Sequence, residues 1–107
     1  MFSFLHKKQM DKFAAEHFWN WFQENESWII ERVTNHGMEV VTAIDSRLTP
    51  IFPYCKRELE FQLGFNDGKG EFFFFHFNDK TLIRDGKTLG EMMPAALCPR
   101  WRFILEA

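Results

Sequence analysis

Glu60 and His76 are residues that can act together as an acid and a base. The segment Glu58 to Phe65 alternates polar and apolar residues, as expected of a strand with one buried face. A second Phe-rich strand, Glu71 to Phe77, follows a loop of turn-forming residues, Asn66 to Gly70. If all five loop residues lie outside the ladder, opposite residue numbers add up to 136 and Glu60 lies opposite His76.

A carboxylate beside an imidazole fixes the tautomer of the ring, so this pair is a candidate catalytic dyad. A catalytic role requires that these groups lie within hydrogen-bond reach of the reacting atoms, and the sequence places no Ser, Cys or metal-ligand cluster beside the pair. Opposite charges across two strands are also common stabilisers of a sheet. The structural interpretation of Glu60 and His76 is therefore favoured over the catalytic one.

The same register assigns the two faces of the sheet. One face carries alternate apolar residues of both strands and is expected to pack on helices: Leu59, Phe61, Leu63, Phe65, Phe73, Phe75 and Phe77. On the other face, Gln62 lies opposite Phe74, and Gly64 lies opposite Phe72. An apolar patch rimmed by charge typically marks a partner or ligand site. The predicted interaction surface consists of Glu60, Phe72, Phe74, His76, Arg102 and Ile104.

Glu26 is a second candidate because it falls on the apolar side of an N-terminal helical segment. Asp11 to Asn35 contains helix formers and no Gly or Pro, and Phe18, Phe22, Ile29 and Val33 form part of its apolar side. A functional interpretation makes Glu26 an acid in an aromatic pocket. The favoured structural interpretation breaks the helix near Asn25, with Asn25 capping the second piece and Glu26 in its first turn.

Composition argues against a nucleic-acid partner. The formal net charge is -2 and the pI is about 6.1, so the chain lacks a strong positive field. The Phe-rich strand resembles an RNA-recognition strand only weakly, because Glu71 interrupts the pattern and the order of elements differs. The four histidines show no metal-ligand spacing, so neither a metal nor a cofactor is expected.

The two cysteines, Cys55 and Cys98, belong to no CxxC motif, and both are expected to be free thiols in a reducing compartment. Met1 to Leu5 is too short an apolar stretch for a signal peptide or a membrane span. These features predict a cytoplasmic protein without a membrane partner.

The remaining elements complete one α+β domain over residues 1-107. A second helix is expected over Glu39 to Leu48, and the last strand over Trp101 to Leu105. Between the Phe-rich strand and the last one, Thr88 to Met93 is predicted to be helical, whereas residues 81-87 fit either a strand or a helix. A helical crossover would make the last strand parallel to the Phe-rich strand. The predicted order is α-α-β-β-α-β.

Two motifs resemble a family of small uncharacterised bacterial proteins. The opening has the form FWxWFxxNE, here residues 18-26, and the closing has the form PxxLxxxWxFI, here residues 94-104. The segment from Ile51 to Tyr54, leading into the first strand, is also similar. The resemblance implies an α+β fold and a bacterial origin and carries no catalytic residue. Residues 81-90 depart from it, since Asp85, Gly86 and Gly90 interrupt a helix that is more apolar in the family.

The sequence leaves two classes of function. The first is a non-enzymatic binding or protein-interaction module, either a homodimer or an accessory protein similar to a toxin-neutralising immunity protein. It is favoured because the chain lacks a catalytic motif. The alternative is a small enzyme or ligand-binding domain that uses Glu60, His76 and Arg102.

Overall fold

The computed structural model describes residues 9-107 and has an α+β fold, as the sequence predicts. Three helices come first: α1 (Lys12–Glu24), α2 (Glu26–Arg32) and α3 (Gly37–Leu48), followed by a short 3₁₀ turn at Thr49–Ile51. The hairpin β1 (Glu60–Asn66) and β2 (Lys69–Phe75), the helix α4 (Lys80–Glu91) and the strand β3 (Trp101–Glu106) complete the chain. The expectations for Met1 to Leu5 lie outside the described residues.

The N-terminal helical segment is divided at Asn25, as the structural interpretation of Glu26 requires. Asp11 begins α1 by accepting a hydrogen bond from the Ala14 N–H at 3.0 Å. Asn25 ends α1, but its side chain donates to the Trp21 carbonyl at 2.9 Å and does not cap α2. Asn25 therefore occupies the N-cap position of α2, as predicted, but makes no side-chain capping bond, and Glu26 lies in the first turn of α2.

The sheet has the order β1-β2-β3, with β1 and β2 antiparallel and β2 and β3 parallel. The predicted parallel crossover is confirmed, and the connecting helix is longer than expected. It begins after Asp79, whose side chain accepts from the N–H groups of Thr81 and Leu82. Residues 81-87, whose sequence fits either a strand or a helix, are therefore helical.

The hairpin register differs from the predicted one by one residue. Asp67 and Gly68 have φ of 53° and 75°, as in a two-residue type I′ turn, so Asn66 pairs with Lys69. Opposite residue numbers consequently add up to 135, as in the pair Glu60 and Phe75. This one-residue shift exchanges the two faces of β2 relative to those of β1.

The core lies between the helices and one face of the sheet. Phe18 and Phe22 of α1 contact Phe72 of β2, with ring centroids 5.9 Å and 6.2 Å apart. Phe52 stacks on Phe74 at 5.3 Å. Phe61 and Leu63 pack against this core, as predicted, but the Phe residues that β2 contributes are Phe72 and Phe74, not Phe73 and Phe75.

Helix α4 packs on the same face of the sheet. A Cβ at Gly86 would lie 2.8 Å from Leu105, and one at Gly90 would lie 2.7 Å from Phe103. The two glycines that interrupt the apolar pattern of this helix therefore allow its close approach to β3. Helices α1 and α4 thus cover the same side of the sheet.

Candidate functional site

The sheet face opposite the helices, which we call the open face, is the candidate functional site. Side chains alternate along a strand, and directly opposite residues share a face. The open face therefore contains Phe73 and Phe75 of β2, beside Ile104 of β3, and all three are only partly buried. Within residues 9-107, these three side chains lie outside the core that the helices cover.

The ladder arranges the open face in rows across the three strands. Phe75 lies between Glu60 on β1 and Glu106 on β3, and both of these carboxylates are exposed. In the next row, Phe73 lies between Gln62 and Ile104. One end of the face is thus an aromatic ring flanked by two acidic groups, and its centre is apolar.

In the third row, the charges of Glu71 and Arg102 neutralise each other. Arg102 donates from Nη1 to Oε2 of Glu71 at 3.2 Å, and the Glu71 side chain is only 14% exposed. Glu60 and Glu106 have no ion pair with another described residue. The negative charge that the open face can offer to a ligand is therefore concentrated around Phe75.

The structure places three of the predicted surface residues, Glu60, Arg102 and Ile104, on the open face. Phe72 and Phe74 are not there: they are 1% and 0% exposed and lie beneath the helices. The prediction that they form an exposed patch is wrong, because the two-residue turn shifts the register by one residue. Phe73, Phe75 and Glu106 take their place. The turn sequence Asp67-Gly68 is the signal that identifies them, since this dipeptide favours type I′ turns.

His76 is not opposite Glu60 and lies outside the ladder between β1 and β2. The chain bends immediately after it, with Phe77 and Asn78 at φ of 54° and 58°. The His76 ring accepts a hydrogen bond at Nδ1 from the Asn78 N–H at 3.0 Å. The structure therefore does not form the predicted acid-base dyad, since Glu60 faces Phe75 instead.

Glu26 holds the start of β3 against the helices. It accepts two hydrogen bonds from the Arg100 guanidinium, at 2.7 Å and 2.9 Å, and one from Trp101 Nε1 at 3.0 Å. The hydrogen bonds from Arg100 are the largest cause of a lowered pKa of Glu26, and the bond from Trp101 adds to it. A carboxylate held ionised in this way is suited to a structural role rather than to donating a proton.

A second buried polar cluster joins the loop before β1 to α4. The Asp85 side chain is 6% exposed and accepts a 2.7 Å hydrogen bond from the Tyr54 hydroxyl, and Arg84 donates to both of its oxygens. Burial, followed by the bond to Asp85, raises the pKa of Tyr54 well above its ordinary value. The phenol therefore stays protonated and serves as a donor to Asp85.

Neither a metal centre nor a membrane-spanning helix is found in the described part of the chain. Residues 9-107 contain no group of three or more His, Cys, Asp or Glu side chains placed to hold a metal ion. None of the helices in this range is long and apolar enough to cross a bilayer. Cys55 and Cys98 are both free thiols.

Comparison with models of protein families, with curated proteins and with solved structures finds no match to this chain. The resemblance to a bacterial family stays a prediction.

Proposed function

We propose that the protein is a protein-binding module whose open face takes a partner segment with a basic side chain next to an apolar one. The observation that carries this proposal is the row in which Phe75 lies between Glu60 and Glu106. Two carboxylates on either side of an aromatic ring match an Arg or Lys side chain in both charge and shape.

The neighbouring row supports the apolar half of this specificity. Phe73 and Ile104 are adjacent across β2 and β3 and are partly exposed, so an apolar partner side chain on them would remove apolar surface from water. Neighbouring rows within a sheet face are about 7 Å apart, close to the spacing of alternate residues in an extended peptide. An extended segment with its basic and apolar residues two positions apart fits both rows.

The alternative function, an enzyme that uses Glu60 and His76, has no geometric support, because the two residues are not opposite each other. The favoured class is therefore the non-enzymatic module, with a protein partner and without nucleic acid. The free thiols Cys55 and Cys98 support a cytoplasmic location, where thiols stay reduced.

Selection of peptides from a displayed random 12-residue library tests this function. We expect the selected peptides to carry Arg or Lys near an apolar residue. The variant E60Q/E106Q should weaken their binding about 2- to 30-fold, because it removes two charges at exposed positions, each worth about 0.2 to 1 kcal/mol in an ion pair. Phe73→Ala should weaken binding by removing the apolar contact.

The matched control is E58Q/E91Q, which also removes two exposed carboxylates but lies outside the rows of the open face. It should leave peptide affinity unchanged. Peptides without basic residues, equal weakening by the two double variants, or failure to select any binder would contradict the proposal.

A further inference from the structure

Strand β1 is an edge of the sheet, and its outward backbone groups can be identified. The N–H groups of Gly70 and His76 donate to Arg100 and Glu106 at the β3 side, at 2.8 Å and 2.9 Å. Even-numbered residues of β2 therefore face β3, and its odd-numbered residues face β1, because successive residues of a strand direct their backbone groups to opposite sides. The β1 partners of those odd-numbered residues are Glu60, Gln62, Gly64 and Asn66.

It follows that the N–H and C=O groups of Phe61, Leu63 and Phe65 point away from the sheet. No loop or turn backbone hydrogen bond within residues 9-107 reaches them. An edge of this kind is a template for another strand unless charge or proline protects it. From Phe61 to Phe65, β1 contains neither a charged residue nor a proline.

We propose that a second copy of this chain pairs with β1 in antiparallel orientation and forms a continuous six-stranded sheet. A two-fold axis perpendicular to the sheet keeps each face on its own side, and opposite residues share a face. The numbers of opposite residues must therefore add up to an even value. A sum of 126 places Leu63 opposite Leu63 of the second copy and Phe61 opposite Phe65.

This register satisfies every outward group of Phe61, Leu63 and Phe65 in both copies. A sum of 124 leaves Phe65 opposite residue 59, outside β1, and a sum of 128 leaves Phe61 opposite the turn residue 67. On the open face, the register of 126 places Glu60 opposite Asn66 and Gln62 opposite Gly64. No like charges are brought together, so the strand is complementary to itself.

The side chains around this edge favour the same occupant. Phe65 is 52% exposed, and Met38 and Val41 of α3 are 79% and 42% exposed. Met38, Val41 and Phe61 line one cleft of about 710 Å³ between α3 and β1, and its rim carries charged residues of both signs, including Asp45, Lys56 and Glu58. The opposite edge, β3, is less suited, because the Trp101 N–H already donates to Leu97 and Arg102 lies within the strand.

Variants that place charges at positions 60 and 66 test the register. The two positions are six apart along one strand, about 20 Å, so an energetic coupling between them arises only across the two copies. Sedimentation equilibrium should show a dimer of the wild type. N66E should raise the dissociation constant of the dimer about 2- to 30-fold, because each dimer gains two Glu–Glu contacts. E60K/N66E should return the dissociation constant to the wild-type value.

The matched control is E91K/N66E, which makes the same charge changes with the lysine on α4, beside the opposite edge of the sheet. It should dimerise as weakly as N66E. Equal recovery in both double variants, or a wild type that is monomeric at several hundred micromolar, would overturn the proposal. Neither measurement involves a peptide, so this test is independent of the binding function.

Hydrogen exchange gives a second readout that does not depend on variants. In the dimer, the amides of Phe61, Leu63 and Phe65 should become protected as protein concentration rises. The amides of Gln62 and Gly64, which face β2, should be protected at every concentration. Protection of the odd-numbered amides that does not change with concentration, or none at all, would contradict pairing through β1.

Discussion

Gly70 and Trp101 are directly opposite each other on β2 and β3, and the Trp101 indole occupies the place that a side chain at position 70 would take. A Cβ at Gly70 would lie 2.5 Å from two carbon atoms of the indole. The ring is also held from above, because its centroid is 4.9 Å from that of Phe22 and its Nε1 donates to Glu26. Trp101 therefore joins the sheet to α1 and α2 only because residue 70 has no side chain.

Gly70→Ala should accordingly destabilise the protein by about 1 to 3 kcal/mol, since the indole must move out of a packed site. Gly37→Ala is the matched control, because no atom lies within 4 Å of its Cβ position, and it should stabilise the protein by about 0.4 to 1 kcal/mol. Urea denaturation measures both. Equal effects of the two substitutions would show that the indole is not in the way.

Phe73 and Phe74 are neighbours in sequence on opposite faces of β2, so the same substitution should have different effects. Phe74→Ala should cost about 3 to 5 kcal/mol, as expected for a fully buried ring. Phe73→Ala should cost much less, because its ring is partly exposed on the open face. Denaturation of the two variants distinguishes the observed register from its one-residue alternative, which predicts the reverse order.

The helices and strands could largely be predicted from the sequence, because their hydrophobic periods are clear. The alternation in β1 and the crossover to β3 illustrate this. The sequence offers the division at Asn25 as one of two alternatives. Helix α4 could be predicted only in part, because Gly86 and Gly90 weaken its helical pattern and their use in packing on β3 is a tertiary effect.

The candidate site could also be predicted only in part, because it depends on whether the hairpin turn contains an even or an odd number of residues. Glu60, Arg102 and Ile104 do share one face, as expected. Which Phe residues lie between them depends on whether the turn has two residues or five. The two lengths differ by an odd number, so β2 presents Phe73 on this face with the shorter turn and Phe74 with the longer one. The positive φ values in the turn fix the shorter form.

Glu26 should make stability depend on acid pH. The hydrogen bonds from Arg100 lower its pKa in the folded state below the ordinary value of 4.5, so the folded carboxyl binds protons less readily than the unfolded one. Its contribution is therefore complete above pH 4.5 and is lost as the pH falls through the lowered value. Glu26→Gln should be less stable than the wild type by about 1 kcal/mol at pH 7.

Urea denaturation between pH 7 and pH 2.5 tests this dependence. The difference between the wild type and Glu26→Gln should decrease steadily below pH 4.5. Glu91→Gln changes an exposed carboxylate at the end of α4, and its free energy of unfolding should depend on pH in the same way as that of the wild type. A constant difference between Glu26→Gln and the wild type would show that the ion pair contributes nothing specific.

Tyr54 should resist ionisation for as long as the protein is folded. It is the only tyrosine in the chain, so absorbance of phenolate at 295 nm reports on this residue alone. Burial and the bond to Asp85 raise its pKa above the ordinary value of 10.0, so the folded phenol holds its proton where the unfolded one releases it. The contribution of Tyr54 to stability is complete below pH 10 and declines above it.

Alkaline titration should therefore show phenolate appearing together with loss of the fold, followed by circular dichroism, and not before it. Tyr54→Phe should cost about 1 to 3 kcal/mol, because it leaves the buried Asp85 carboxylate without the hydroxyl donor. Asp85→Asn should bring the phenol titration closer to pH 10, since it removes the negative charge beside the hydroxyl. Phenolate formation near pH 10 in the folded wild type would contradict the buried hydrogen bond.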